Sequence, residues 1–226
     1  MCGRFGLTRP ERLDWRKLGV SHPPTGLAPR YNIAPGSEVL AVTLRSGEPH
    51  AEYLRWGLIP YWARDPAIGS RLANARGDTA FEKPAFRAPM RSRRCLILAD
   101  VFYEWQSVPG SRRIPHAVRL KSGEPFALGG VWDYWHSPEG GKATCAVLTT
   151  EANALLASVH DRMPVIVPPD RYRAWLDPRT PLPAVRDAML PYPSYELEAW
   201  AVSFRVNDPA ADDPSVLEAA PTQEGH

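Results

Sequence analysis

Residues 94–106 read Arg94-Cys95-Leu96-Ile97-Leu98-Ala99-Asp100-Val101-Phe102-Tyr103-Glu104-Trp105-Gln106. The stretch opens as a continuous apolar run and reads as a central strand. Working outward from it, alternation at Leu40, Val42 and Leu44 and at Leu54, Trp56 and Leu58 suggests two half-buried strands. Strand readings also fit 116–120, 125–135, 143–149, 163–167 and 197–204. Thr8-Arg9-Pro10-Glu11 resembles a capping box and Gly19 closes the segment, so 9–18 reads as a helix. Helices also fit 151–158, 169–176 and 181–190. Many strands, a few short helices and no βαβ rhythm predict an α+β fold: a single domain with a curved, barrel-like, mainly antiparallel sheet.

A chain of 226 residues is long enough for one substantial core. Its 25 prolines are spread along it and punctuate short elements. No apolar stretch approaches the roughly 18–20 residues of a membrane span. Arg4, Arg9, Glu11 and Arg12 interrupt any signal-peptide run, so a cytoplasmic protein is expected, nucleoid-associated if bacterial. Cys2, Cys95 and Cys145 make neither a disulfide framework nor a zinc pattern. Cys95 and Cys145 sit in apolar runs and read as small core residues. The net charge of +2 hides an asymmetry. Residues 207–226 hold Asp208, Asp212, Asp213, Glu218 and Glu224 and no Lys or Arg, leaving 27 basic against 20 acidic side chains in the body. That tail is expected to be disordered, and a domain over 2–206 precedes it. A basic body can meet a phosphate backbone, although charge alone favours a solvated surface.

Chemistry concentrates at the amino terminus. Methionine is normally trimmed before a small residue, and trimming gives Cys2 a free α-amine beside its thiol. These groups titrate at about 8 and about 8.5, so both are partly nucleophilic near neutrality. A 1,2-aminothiol suits an aldehyde: the amine forms a Schiff base and the thiol closes on it as a five-membered thiazolidine. Alternatively the thiol attacks a carbonyl with the amine as base, as in N-terminal-nucleophile hydrolases.

Further motifs accompany Met1-Cys2-Gly3-Arg4-Phe5. They are Arg30-Tyr31-Asn32-Ile33-Ala34-Pro35, Arg55-Trp56-Gly57-Leu58-Ile59-Pro60, Asn74-Ala75-Arg76, Arg94-Cys95-Leu96, Ala99-Asp100, Phe102-Tyr103-Glu104-Trp105 and His160-Asp161-Arg162-Met163-Pro164-Val165. This set, in this order, resembles the SRAP (SOS response-associated peptidase) family over about residues 2–206. The resemblance implies a protein of the DNA damage response that recognises abasic sites in single-stranded DNA. It implies a thiazolidine crosslink from Cys2 to the sugar aldehyde, lyase-type Schiff-base chemistry and autoproteolytic removal of Met1. It implies that Glu104 and His160 move protons and that Asn74 orients the Cys2 amine and the sugar. Read without it, Glu104 is a structural carboxylate, His160 a helix-terminal histidine and Asn74 a turn former. Arg4, Arg76, Arg162 and Arg87 are candidate phosphate contacts, and Trp56 and Phe86 candidate stacking platforms, with Trp62 and Phe81 as further aromatics. No cofactor or metal is expected. The expected partner is single-stranded DNA, with replication-fork proteins beyond it, and the expected state is a monomer.

Some positions depart from the family pattern. Asp78 stands where Glu is usual and Gly77 where a bulkier residue is usual. Leu98 replaces a usual Pro, and Val101 replaces a usual Gly, which puts the turn before Glu104 in doubt. Two rival readings remain. Class II glutamine amidotransferases also begin Met-Cys-Gly, but the Trp-Gly-Leu-Ile-Pro and Phe-Tyr-Glu-Trp segments have no place in them. The other is a non-covalent reader of single-stranded or modified DNA, whose binding would survive Cys2→Ala and be fully reversed by salt.

Overall fold

The structure is a computed structural model and describes residues 2–110, 112–137 and 140–220. The strands, in chain order, are β1 (Arg4–Leu7), β2 (Arg30–Ile33), β3 (Glu38–Arg45), β4 (Glu48–Trp56), β5 (Asn74–Arg76), β6 (Arg94–Ala99), β7 (Val101–Gln106), β8 (Ile114–Leu120), β9 (Phe126–Ser137), β10 (Gly140–Glu151), β11 (Arg162–Pro164), β12 (Ile166–Val167) and β13 (Leu197–Ala201). Short helices α1 (Trp15–Leu18), α2 (Arg87–Ser92), α3 (Tyr172–Leu176) and α4 (Leu182–Asp187) pack around them.

Five strands close on one another. β4 pairs antiparallel with β3, β3 with β6, β6 with β9 and β9 with β10. β10 then returns to β4 in parallel through Thr144↔Arg55 and Cys145↔Trp56. The second sheet is antiparallel and open, in the order β13-β8-β7-β1-β2. The fold is therefore α+β, a closed five-stranded barrel beside an antiparallel sheet. Four barrel strands, β3, β6, β9 and β10, are buried on both faces over their central stretches, while β4 alternates buried and exposed residues. Val39, Ala41, Cys95, Ile97, Leu128 and Cys145 join a cluster with Phe5 and Phe102 of the second sheet. Leu40, Val42, Leu96, Leu98, Val131 and Leu148 face the other way, onto Trp175 and Leu176 of α3. That double burial explains the unbroken apolar run at 95–99.

The single strand expected over 94–106 is two strands, one in each sheet. The break is Asp100, which is buried. Its carboxylate accepts from the amides of Thr8 and Arg9, at 2.8 and 2.7 Å, and from the Thr8 hydroxyl at 3.0 Å. Thr8 is thus spent on Asp100 and caps no helix. Residues 9–18 form a 3₁₀ turn (Pro10–Arg12) and the single turn α1, capped by Asp14 and ended by Gly19 at φ 72°. Val101 needs no positive φ, since Ser46 is the one non-glycine residue with positive φ among those described. Val101 instead lies opposite Gly6, where an added Cβ would meet its Cγ1 at 2.9 Å and the Arg30 carbonyl at 2.9 Å. Glycine there lets β1 sit between β7 and β2. The helix expected over 151–158 is absent: Glu151 ends β10 and turns follow. There Asn153 caps locally, accepting from the Leu156 amide at 3.1 Å while its own amide nitrogen is tied to the Tyr192 carbonyl.

The acidic tail is ordered through residue 220, and 221–226 lie outside the described residues. Its acids are anchors. Asp212 accepts from Arg30 Nε at 2.5 Å and from the amides of Tyr31 and Asn32 at 2.5 and 2.9 Å. Val216 is fully buried, and Val202 bridges to Ala219. Arg4 ties β1 to β2 and to the segment ahead of the acidic tail, donating to Asn32 Oδ1 at 2.8 Å and to the Val206 carbonyl at 2.7 Å. Burial opposes ionisation of Asp212, but the Arg30 and amide bonds outweigh it and hold its pKa low. Its stabilisation is therefore present at neutral pH and is lost as pH falls through that depressed pKa. Asp212→Ala is expected to cost about 1–3 kcal/mol in urea unfolding at pH 7, with the difference vanishing in acid.

Candidate active site at the amino terminus

Cys2 sits just ahead of β1 and is fully buried. Its thiol lies 3.7 Å from the Arg4 carbonyl. Its own carbonyl accepts from Asn74 Nδ2 at 2.8 Å. Asn74 opens β5, which β10 holds in parallel register through Asn74↔Val147. The barrel thereby delivers the asparagine and the second sheet delivers the cysteine. Asn74 Oδ1 is buried without a hydrogen-bond partner among the described residues, a cost accepted at a site more readily than in a core.

Glu104 lies on β7, one strand over from β1, and is 1% exposed. Burial pushes its pKa up to about 7. Burial also pushes the Cys2 thiol well above its ordinary range, and the charge of Glu104 pushes it further. The two groups therefore sense each other directly. The Asp161 carboxylate adds to the rise at Glu104 and lies 2.8 Å from Nδ1 of His160.

His160 is half-buried at the end of the turn after β10. Its Nδ1 accepts from the Arg162 amide at 3.0 Å, which requires the tautomer protonated at Nε2. The close Asp161 oxygen would instead suit a proton on Nδ1. Burial lowers the His160 pKa, with Asp161 opposing. The neutral, amide-bonded ring is the form consistent with that direction. Cys2, Asn74, Glu104 and His160 are thus linked, directly or through Asp161. Among the described residues no group of three or more His, Cys, Asp or Glu is placed to hold a metal ion.

The family model for SOS response associated peptidase (SRAP) matches residues 1–209. The chain belongs to this family. It is 39% identical to "Abasic site processing protein YoqW" of Bacillus subtilis, over 97% of this chain and all of that one. It is 30% identical to "Abasic site processing protein HMCES" of Pongo abelii, over 96% of this chain and 75% of that one. A crystal structure of a Bacteroides thetaiotaomicron protein superposes with a TM-score of 0.85 at 24% identity, covering 97% of this chain and all of that one.

The SRAP fold gives four of the six DNA-contact candidates interior roles. Trp56 is buried, packs on Phe5 at 4.9 Å between ring centroids and donates to the Ala73 carbonyl at 2.7 Å. Phe86 is buried ahead of α2. Neither ring presents a face to a base; a large apolar ring gains more from the core. Arg4 is committed to Asn32 and the Val206 carbonyl. Arg162 is buried, donating to the Thr149 carbonyl at 2.7 Å and lying 3.6 Å from Asp78. Arg76 and Arg87 are exposed. Asp78 sits 3.0 Å from Arg76, so the shorter acid still reaches both arginines. Trp62, Tyr61 and Tyr53 are among the exposed aromatics. A cleft of about 520 Å³ is bordered by Pro35, Gly36, Arg55, Ile59 and Lys142. Sequence reading missed Asp161 and Asp100, although both stand inside quoted motifs. The acid beside each motif's obvious residue was the available signal.

Proposed function

We propose that this SRAP protein captures abasic sites in single-stranded DNA as a covalent adduct through the aminothiol of Cys2, protecting the site during the damage response. The observation that carries the reading is the pairing of a buried Cys2 with a carboxyl, Glu104, whose pKa lies near 7. The names of the relatives at 39% and 30% identity support the substrate class.

The chemistry balances without a cofactor. Once Met1 is removed, the Cys2 amine adds to C1′ of the ring-opened sugar, and the carbinolamine loses water to give an imine. The thiol then adds to the imine carbon and its proton passes to nitrogen, closing the thiazolidine with one water released overall. The thiol is held protonated by burial and by Glu104, so it needs a base at the moment of closure. Glu104, titrating near neutrality, takes that proton as carboxylate and, as acid, assists ring opening and departure of the hydroxyl. His160, protonated at Nε2, serves as second donor. Asn74 fixes Cys2 and offers Oδ1 to its amine. Arg76, Arg87 and exposed Trp62 are the proposed contacts to strand and bases. An imine that escapes closure would permit strand scission by β-elimination, a lyase outcome of the same site. Autoproteolytic removal of Met1 at this centre is a further part of the reading, as is a monomer acting at replication forks.

The test uses protein with Met1 removal verified by intact mass. It is incubated with a single-stranded oligonucleotide carrying one abasic site, or with the intact strand. The expected product survives a denaturing gel, appears with the abasic strand alone, and has the summed mass less one water. Its Cys2 resists alkylation, which separates a thiazolidine from an open imine. Absence of any covalent species overturns the reading.

A further inference from the structure

β5 carries Asn74 and Arg76 two residues apart, on one face of the strand and about 6.6 Å from each other along it. Asn74 is fastened to the Cys2 carbonyl, so Arg76 stands beside the reactive centre with its side chain 60% exposed. Its guanidinium is already in use. Arg76 Nη2 donates to Asp78 Oδ2 at 3.0 Å. The same carboxylate oxygen lies 3.6 Å from Nη1 of Arg162. One acid therefore sits between two arginines, one exposed and one buried.

A tight turn stations the acid there. The Gly77 amide donates to the Thr149 carbonyl at 2.8 Å, and the amides of Thr79 and Ala80 close back on the Arg76 carbonyl at 3.2 and 2.8 Å. The Thr149 carbonyl also accepts from Arg162 at 2.7 Å, so one oxygen binds both the turn and the buried guanidinium. Glycine at 77 lets the turn lie this close, since a Cβ would meet that carbonyl at 3.2 Å. Arg162 is thus fixed, whereas Arg76 has solvent to swing into. The hydrogen bond from Arg76 holds the Asp78 carboxyl below its usual range, with burial opposing and the Arg162 charge helping. The acid is therefore ionised at neutral pH. Asp161 and Glu151 also act on Arg76 through their charge.

Exposed ion pairs contribute little to folding. Their effect on an anionic ligand is direct: a phosphate has to displace the carboxylate from the same N–H groups and then lie beside its charge. We propose that Asp78 is a specificity-determining residue, a built-in competitor that occupies Arg76 until a strand phosphate displaces it and so weakens the hold on intact single strands. Specificity is a difference of affinities. Every nucleotide carries a phosphate, so weaker phosphate binding shortens the stay on intact DNA. An abasic site is retained by a covalent bond that owes nothing to Arg76.

The inference rests on Arg76 being a strand contact, as in the proposed function, and its test needs no adduct. Fluorescence anisotropy at low salt measures binding of a labelled intact single strand to wild type, Asp78→Asn, Arg76→Gln and the double variant. Asp78→Asn is expected to bind about three- to tenfold tighter. That gain should nearly vanish when Arg76 is absent, so the two changes are non-additive. Asp78→Glu, which keeps the charge, should stay within about twofold of wild type. An equal gain with and without Arg76 would reflect bulk charge alone and overturns the proposal. Weaker or unchanged binding by Asp78→Asn makes Asp78 a support for Arg76 and overturns it too, as does an absence of binding by every variant. Asp78 is half-exposed, and Asp78→Ser supplies a second neutral variant should asparagine disturb the turn. A separate arm follows adduct formation on an abasic strand with excess intact strand present, where Asp78→Asn should be slowed severalfold more than wild type. A wild-type protein that forms no adduct sinks the functional reading, while the binding cycle still decides the competition.

Discussion

Cys2→Ala protein is expected to form no denaturation-resistant adduct with an abasic strand, a loss of more than ~100-fold, since the sulfur that closes the ring is gone and the imine left to the amine hydrolyses. The more discriminating variant keeps the thiol and blocks the amine. A chain carrying a non-removable extension ahead of Cys2 retains sulfur, fold and Glu104, yet has an amide where the chemistry needs an amine. It is expected to be as inert as Cys2→Ala. The reason lies in the site's electrostatics. Burial and the Glu104 charge both push the thiol pKa upward, so little thiolate exists at neutral pH. A site built for direct thiolate attack would show the reverse, a pKa lowered by a cation or helix end. On the proposed reading, amine attack therefore comes first, with the thiol closing second on a carbon already activated as an imine. Denaturing gels and intact mass measure both variants. Both should retain salt-sensitive, non-covalent binding to single strands. Full adduct yield from the amine-blocked chain would show that thiol chemistry alone suffices, and the aminothiol reading would fail.

Of the candidate site, Cys2 draws attention by its own chemistry, a thiol beside an amine once Met1 is removed. Asn74, Glu104 and His160 stand out only through the order of the family motifs, since read singly they are a turn former, a structural carboxylate and a helix-terminal histidine. The strands of the barrel announce themselves because burial leaves apolar periodicity. The arginines and aromatics do not, since a guanidinium pairs with phosphate or with a buried carbonyl by the same hydrogen bonds. Arg4 and Arg162 chose carbonyls, Val206 and Thr149, which are distant or non-obvious in sequence. Trp56 reads equally as stacking platform or core, and the Ala73 carbonyl that takes its indole proton decides for the core. The acidic tail misled through composition. Few apolar residues suggested disorder, yet Asp212 finds two strand-edge amides and Arg30, and one buried valine completes the join. Likewise Asp100 splits an apparently continuous strand because its partners, Thr8 and Arg9, lie some ninety residues away. Non-local polar partners leave no periodic trace.

Glu104→Gln separates function from stability most clearly, because the two are expected to move in opposite directions. Glutamine keeps the size and one acceptor but neither gives nor takes a proton. Adduct formation should slow by about 10²–10⁴-fold, the usual worth of a positioned acid or base. Wild type should show a titration near pH 7 in its rate, and the variant should lose it. Stability should go the other way. Burial raises the Glu104 pKa from 4.5 to about 7, so between those values the folded protein binds a proton that the unfolded chain has released. Stability then falls as pH rises through that window. The penalty is absent below 4.5 and complete above about 7, where it reaches at most about 3 kcal/mol. A neutral glutamine carries no such penalty. Urea unfolding of wild type and variant should therefore coincide at pH 4 and diverge at pH 8, with the variant the more stable. A variant less stable than wild type at pH 8 would mean that Glu104 is held by favourable ion pairing. It would then be a structural carboxylate, as any lone glutamate in an apolar strand can be read. A slower but more stable protein would instead mark a carboxyl kept in an unfavourable place for its chemistry, the trade expected of a residue retained for function.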